Sequence, residues 1–135
     1  MRPTKDDYYL NIAKVVSTRS TRLRAHAGAI LVKDDKIIST GYSGAARGEP
    51  NCSDLGVCER QRLNIPPGQN YELCRSVHAE ANAIINCDQD KSGSTMYLYF
   101  ERIDGLKSKH GGPCAMCARM IKNAQISKVI FNEEV

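Results

Sequence analysis

The chain has 135 residues, of which 41% are hydrophobic and 25% charged, and its formal net charge is +4. This length predicts a single domain over residues 1–135 and leaves no room for a second one. The charge excess is too small for the dense basic stripe of a nucleic-acid binder, and no apolar run approaches the ~20 residues that span a bilayer.

The N-terminal sequence has no apolar run followed by a small-residue cleavage site, so we expect a cytoplasmic protein, located in the host cytoplasm if the source is a virus. In that compartment the six cysteines are expected to be metal ligands, catalytic groups or buried thiols rather than disulfides. No internal repeat and no linker rich in Ser or Gly divides the chain.

The first predicted element is a helix over residues 5–19, with Thr4 as its N-cap and two aspartates in its first turn. Its apolar stripe at helical spacing is predicted to consist of Tyr8, Ile12, Val15 and Val16. A β-hairpin follows, with strands at 27–32 and 37–42 joined by a polar turn. Three glycines then predict a loop: Gly41, Gly44 and Gly48.

The rest of the chain alternates helices and strands after an irregular region at 51–75. Helices are predicted at 78–87 and 114–124, strands at 95–100 and 127–131, and a long polar loop at 101–113. Pro113 is expected at the first position of the last helix. Helices between the late strands imply parallel crossovers, whereas the early hairpin is antiparallel. We therefore predict an α/β fold with a mixed sheet covered by helices on both faces.

Two short motifs carry the chemistry: His78-Ala79-Glu80 and Pro113-Cys114-Ala115-Met116-Cys117. A hydrolytic zinc ion takes three protein ligands and leaves one position open for water. Cys114 and Cys117 share one face at a helix start, where the helix dipole is expected to lower thiol pKa values. With His78 as the third ligand, this order of H-x-E and P-C-x-x-C is the pattern of zinc nucleobase deaminases.

Glu80 is predicted to be the catalytic acid and base rather than a ligand. It could take a proton from zinc-bound water and pass it to the leaving amine, so that cytosine loses ammonia and becomes uracil. Taken alone, C-x-x-C is more often a structural zinc half-site or a redox pair, and H-x-E is common by chance. Because both motifs occur together, in this order and each at a helix start, a catalytic zinc site is favoured.

Around these motifs the chain resembles the deoxycytidylate (dCMP) deaminase family of the cytidine deaminase-like superfamily. The resemblance covers nearly the whole chain and rests on Gly28-Ala29-Ile30, TGYSG at 40–44, ELCRSVHAEANAI at 72–84, and an insertion with Cys52, Cys58 and IPPG at 65–68. It implies a three-layer α/β/α fold and zinc-dependent conversion of dCMP to dUMP for dTMP synthesis. It also implies a homo-hexamer, activated by dCTP with Mg²⁺ and inhibited by dTTP, both bound between subunits.

Three departures from the family pattern modify these expectations. Ser43 stands where the family usually has Asn, so we expect the nucleotide contacts of this loop to differ. The segment at 100–112 is longer than the usual connection into P-C-x-x-C and could act as a lid. The chain stops soon after Phe131, without the C-terminal elements of larger members.

Several further residues have two readings each. Cys52, Cys58 and Cys74 could hold a second, structural zinc, with His26, Glu59 or Cys87 as a fourth ligand, or could be buried thiols.

Arg22 and Arg24 could bind a 5′-phosphate or form a solvated helix end. Asn82 could line a nucleotide site or hydrogen-bond within its own helix neighbourhood. Tyr97 and Tyr99 share one strand face and are expected to pack rather than stack on substrate.

Alternative functions share the same zinc motifs. A dCTP deaminase, or an enzyme acting on both dCMP and dCTP, remains open. A tRNA adenosine deaminase has the same zinc site but is disfavoured by the H-A-E-x-N-A-I context and the modest charge. A non-catalytic zinc module that binds DNA or protein is disfavoured by Glu80, because a structural site needs no proton carrier and usually has four protein ligands.

Overall fold

A computed structural model describes residues 1–21, 25–49, 63–64, 76–102 and 112–132. The helices in these ranges are α1 (Lys5–Ser17), α2 (Ala79–Asn86) and α3 (Ala115–Asn123). The strands are β1 (Ala25–Lys33), β2 (Lys36–Tyr42), β3 (Gly44–Ala45), β4 (Ser76–Val77), β5 (Thr95–Arg102) and β6 (Lys128–Phe131). None of the described helices is long and apolar enough to cross a membrane.

The main sheet has the strand order β2-β1-β5-β6. β1 pairs antiparallel with both β2 and β5, whereas β5 pairs parallel with β6 through the crossover that contains α3. The mixed sheet predicted from the sequence is therefore confirmed, with its antiparallel half on the early hairpin and its parallel half on the late strands. A second, two-stranded pairing joins β3 to β4 immediately before His78.

Helices cover both faces of this sheet. Alternate residues of β1 point to opposite sides, because side chains in a strand alternate with a period of two. Ala29 and Leu31 belong to the cluster under α2 and α3, whereas Ile30 and Val32 belong to the cluster under α1. Tyr97 lies in the α1 cluster, and the partly buried Tyr99 packs against it, so both tyrosines pack as predicted.

The buried stripe of α1 differs from the predicted one. Tyr9, Ala13 and Ser17 are buried, whereas Tyr8 and Val15 are 49% and 67% exposed. The reason is the close approach of α1 to Gly28 of β1. A Cβ on Gly28 would lie 2.3 Å from the Ala13 carbonyl oxygen and 2.5 Å from the Ser17 amide nitrogen. Where α1 crosses Gly28 its residues must therefore be small, which a search for large apolar side chains does not find, whereas Ile12 and Val16 of the predicted stripe are partly buried and pack against the cluster under α1 as expected.

The loop predicted from the glycines begins later than expected. Gly41 lies inside β2 and Gly44 begins β3. Gly41 serves a packing role, because a Cβ there would lie 2.3 Å from the Ala83 amide nitrogen and 2.7 Å from the Ala79 carbonyl oxygen. This glycine lets α2 lie directly against the edge of the sheet.

The ends of the other elements are close to those predicted. Thr4 caps α1 and accepts a hydrogen bond from the Asp7 amide at 3.2 Å, but the helix ends at Ser17 rather than Arg19. β1 begins two residues earlier than predicted, and β5 continues through Arg102 into what was expected to be loop.

Candidate active site

Two helix starts bring the predicted zinc ligands together. His78 is the N-cap of α2 and has an extended backbone conformation. Cys114 is the N-cap of α3, and its sulfur accepts a hydrogen bond from the Cys117 amide at 3.5 Å. Pro113 therefore precedes the cap, whereas the sequence predicted it at the first helical position. The cysteine sulfur fills the capping role that a Ser or Asp oxygen usually fills.

The three side chains form a compact donor set. His78 Nδ1 lies 3.5 Å from Cys114 Sγ and 3.4 Å from Cys117 Sγ, and all the potential ligand atoms lie within 4.8 Å of one another. Tetrahedral zinc with Zn–S bonds of about 2.3 Å and Zn–N bonds of about 2.0 Å would separate its nitrogen and sulfur ligands by about 3.6 Å. The spacing of the donors therefore fits zinc without any rearrangement.

Glu80 lies in the first turn of α2, next to these donors. Its side chain is 6% exposed and is within hydrogen-bonding reach of the Cys117 thiol. Burial, the charge of Glu80 and the neighbouring Cys114 together raise the pKa of the Cys117 thiol. The sequence predicted a lowering from the helix dipole, whereas burial and the neighbouring acidic groups act in the opposite direction.

A divalent cation would reverse this balance. It would supply positive charge beside the thiols and Glu80, and it would favour the thiolate form that metals require. Among the described residues, His78, Cys114 and Cys117 are the one group of three or more His, Cys, Asp or Glu side chains close enough to hold a metal. The chemistry of the donor set therefore also fits zinc. Glu80 is not a member of this set and is a buried carboxylate beside it.

The predicted nucleotide-binding residues that the structure describes are Ser43 and Asn82. Ser43 is fully buried, and its hydroxyl hydrogen-bonds to that of Ser20. Asn82 Nδ2 donates to the carbonyl oxygens of Tyr42 at 2.8 Å and Val77 at 3.4 Å. Both side chains are thus engaged with the protein itself, and their contact with a nucleotide stays a prediction.

Several predicted residues lie outside the described ranges. They are Arg22, Arg24, Cys52, Cys58, Cys74, Glu59 and most of the loop at 101–112. The second zinc site, the phosphate contacts and the lid therefore stay predictions. Of the other residues considered as a fourth ligand, Cys87 is buried and its thiol donates to the Gln89 carbonyl at 3.6 Å, and His26 is half-buried in β1.

A cleft of about 320 Å³ lies along the outer side of α2. Its lining includes Tyr42, Arg47, Val77, Asn82, Ile85 and Asn86. The sequence reasoning missed Arg47 and Asn86, which are joined by a 3.1 Å hydrogen bond from the Arg47 guanidinium to Asn86 Oδ1. The sequence did contain a signal for Asn86. Asparagine is unfavourable in helix interiors, and yet it occurs at positions 82 and 86, one turn apart.

Comparison with known proteins identifies relatives over the whole fold. The sequence profile described as "Cytidine and deoxycytidylate deaminase zinc-binding region" matches residues 3–133. The deoxycytidylate deaminase of Mycobacterium phage D29 is 36% identical over 139 residues, which cover 98% of each chain. The deoxycytidylate deaminase of Saccharomyces cerevisiae is 30% identical, but the match covers only 39% of that longer protein.

Solved structures match the same arrangement. The dCMP deaminase of cyanophage S-TIM5 in complex with dCMP and dUMP has a TM-score of 0.70 at 26% identity, over 97% of this chain and 82% of that one. RibD of Acinetobacter baumannii has a TM-score of 0.52 at 24% identity and shows likeness of fold alone. These matches confirm the α/β/α layering and the mixed sheet that were expected from the sequence.

Proposed function

The chain belongs to the cytidine and deoxycytidylate deaminase family, and from that premise we propose that it hydrolyses dCMP to dUMP and ammonia. The observation that carries the proposal is the convergence of His78 Nδ1 with two cysteine sulfurs beside a buried Glu80. A structural zinc site would be expected to use four protein ligands, whereas the described residues offer three here, with a carboxylate beside them. That combination suits hydrolysis.

His78, Cys114 and Cys117 would hold the zinc ion, and Glu80 would carry protons. Zinc bound there would act as a Lewis acid that makes water nucleophilic at neutral pH. Glu80 accepts one proton of the attacking water on a carboxylate oxygen and delivers a proton to the amino group of the cytosine ring. That group leaves as ammonia, so dCMP and water give dUMP and ammonia. Burial of Glu80 keeps bulk water from competing for the transferred proton.

The choice of dCMP is supported by the relatives. The phage D29 protein, which this chain matches end to end, is named a deoxycytidylate deaminase, and the S-TIM5 structure was obtained with dCMP and dUMP. The dUMP formed would supply dTMP synthesis. A dCTP deaminase activity, alone or alongside, is the nearest alternative, because it needs the same zinc chemistry and differs only in phosphate recognition.

Regulation and assembly are the finer parts of the proposal. The family resemblance supports a cytoplasmic homo-hexamer, activated by dCTP with Mg²⁺ and inhibited by dTTP. The exposure of two large apolar side chains beside the α2 cleft, Tyr42 at 37% and Ile85 at 63%, supports burial of this surface between subunits. A second zinc held by Cys52, Cys58 and Cys74 is supported by the sequence alone.

A substrate panel tests the proposed reaction. Zinc-loaded protein is incubated separately with dCMP, cytidine, dCTP and a cytosine-containing oligonucleotide, and released ammonia is measured. We expect turnover of dCMP, and faster turnover when dCTP and Mg²⁺ are added as effectors. Turnover of dCTP or of the oligonucleotide in place of dCMP would retain the zinc chemistry and overturn the substrate. The absence of ammonia release from all four compounds would contradict the proposed enzymatic activity.

A further inference from the structure

The outer edge of β2 is hydrogen-bonded by side chains of α2. Among the described strands β2 lies at the edge of the main sheet, so one row of its backbone groups faces away from the strands of that sheet. Asn82 Nδ2 donates to the Tyr42 carbonyl at 2.8 Å, and Asn86 Nδ2 donates to the Thr40 carbonyl at 3.0 Å. Two asparagines one helical turn apart thus bind two alternate carbonyls of one strand edge.

Asn82 differs from Asn86 in what else it contacts. Its Nδ2 also lies 3.4 Å from the Val77 carbonyl oxygen, and its main-chain N–H donates to the His78 carbonyl at 3.0 Å. One residue therefore contacts both His78 and the residue before it. Asn86 lies one turn further from His78 and donates to Thr40 instead.

His78 depends on such contacts for its position. As the N-cap it lies outside the helix proper, with ψ at 151°, and its side chain makes no capping hydrogen bond. The short segment directly before it, where Val77 pairs with Gly44, contributes to its position. A shift of this segment would carry the imidazole away from the two cysteines, which are held separately by α3.

We propose that Asn82 is a positioning residue that fixes Val77 and His78 against the end of β2 and so completes the metal site. This inference rests on the proposed zinc-dependent function. The side-chain amide of Asn82 joins the end of β2 to the strand β4, next to His78 at the start of the helix that carries it. Partners that orient a ligand in this way commonly change metal affinity about 10- to 100-fold when they are removed.

Matched substitutions at the two asparagines test the proposal in the full-length protein. Zinc dissociation constants are measured by competition with a chromophoric chelator for Asn82→Ala and Asn86→Ala, with Asn82→Asp and Asn86→Asp as variants of unchanged size that cannot donate. We expect the Asn82 variants to bind zinc about 10- to 100-fold more weakly. The Asn86 variants should stay within a few-fold of wild type, because they remove the same kind of bond from the same strand.

Cobalt substitution supplies a readout that a general loss of stability would not change. The visible spectrum of Co²⁺ bound in place of zinc reports its coordination, and we expect it to change in the Asn82 variants and to be retained in the Asn86 variants. Wild-type zinc affinity and an unchanged cobalt spectrum in the Asn82 variants, with a raised KM for dCMP, would overturn the proposal in favour of a nucleotide contact. An equal loss of zinc affinity in the Asn82 and Asn86 variants would also overturn the proposal. A wild-type chain that binds no zinc would overturn the proposed function as well.

Discussion

The two faces of the sheet use the same packing device but leave their polar groups in opposite states. On each face a glycine lets a helix backbone approach closely: Gly28 under α1 and Gly41 under α2. Under α1 the polar groups satisfy one another, as the Tyr9 hydroxyl donates to Asp35 at 2.6 Å and the Tyr97 hydroxyl donates to Asp6 at 2.7 Å. At the starts of α2 and α3, two thiols and an imidazole converge within 4.8 Å of one another, beside the buried carboxylate of Glu80.

This difference distinguishes the polar groups under α1, which stabilise the fold, from those at the starts of α2 and α3, which form the proposed active site. Buried polar groups that are paired add rigidity, whereas acidic groups that crowd one another need an outside partner. Burial and the neighbouring acidic groups raise the pKa of the Cys117 thiol, and a metal ion that favours the thiolate would suit this cluster. Changes at the starts of α2 and α3 should therefore affect metal binding and turnover, and changes under α1 should affect stability alone.

The largest effect is expected from removing a metal ligand. Cys117→Ser should weaken zinc binding by more than the ~10- to 100-fold cost of losing an outer partner, and should abolish deamination. Cys87→Ser is the matched control, because Cys87 is also buried but lies outside the donor set. Zinc content and ammonia release are measured for both. Wild-type zinc affinity in Cys117→Ser would contradict the proposed ligand set.

A methyl group at each close-approach glycine sharpens the contrast between the faces. Gly28→Ala and Gly41→Ala both force a Cβ to within 2.3 Å of helix backbone atoms, so each should lower the free energy of unfolding by about 1–3 kcal/mol or more. Only Gly41→Ala should also weaken zinc binding, because α2 carries Glu80 and follows His78. Denaturant unfolding and zinc competition measure the two quantities, and equal effects on zinc affinity would remove the contrast.

A smaller effect is expected on the α1 face. Tyr9→Phe removes the hydrogen bonds to Asp35 and should lower the free energy of unfolding by about 1–2 kcal/mol at neutral pH, without changing zinc affinity. The matched control is Tyr8→Phe, because Tyr8 is the neighbouring tyrosine and is 49% exposed.

The same variant predicts a pH dependence. The hydrogen bond to Asp35, together with burial, raises the pKa of Tyr9 from 10.0 to about 12. Because the folded state favours the neutral hydroxyl, its contribution is fully present below pH 10 and is lost as pH rises through about 12. The stability difference between wild type and Tyr9→Phe should shrink over that range, and a constant difference would contradict the assignment.

Much of the fold could be predicted because its signals are local. The apolar runs of the strands, the polar turn of the hairpin and the Thr4 cap each depend on neighbouring residues, and all were identified from the sequence. The stripe of α1 was wrong for Tyr8 and Val15, because Ala13 and Ser17 face Gly28, a residue far away in the sequence whose lack of a side chain decides which helix face fits. Such close approaches depend on tertiary contacts rather than on periodicity.

The candidate site, like the fold, has parts that could be predicted from the sequence and parts that could not. His78, Glu80, Cys114 and Cys117 could be named in advance, because metal spacing and helix starts are written in short motifs. The contacts of Asn82 and Asn86 with the edge of β2 could not, because they depend on which strand lies at the edge of the sheet and on how closely α2 approaches it. The direction of the Cys117 pKa shift was also missed, because burial beside Glu80 is a property of the folded chain.

The most direct test of the central claim is to replace Glu80 with glutamine and measure zinc content and dCMP deamination on the same sample. Glutamine keeps the size of the side chain and cannot carry the proton. We expect the zinc content of the wild type to be retained, and turnover to fall by about 1,000-fold, within the range for removal of a general acid and base. Turnover close to that of the wild type in Glu80→Gln would contradict the claim that this buried carboxylate carries the protons of the reaction.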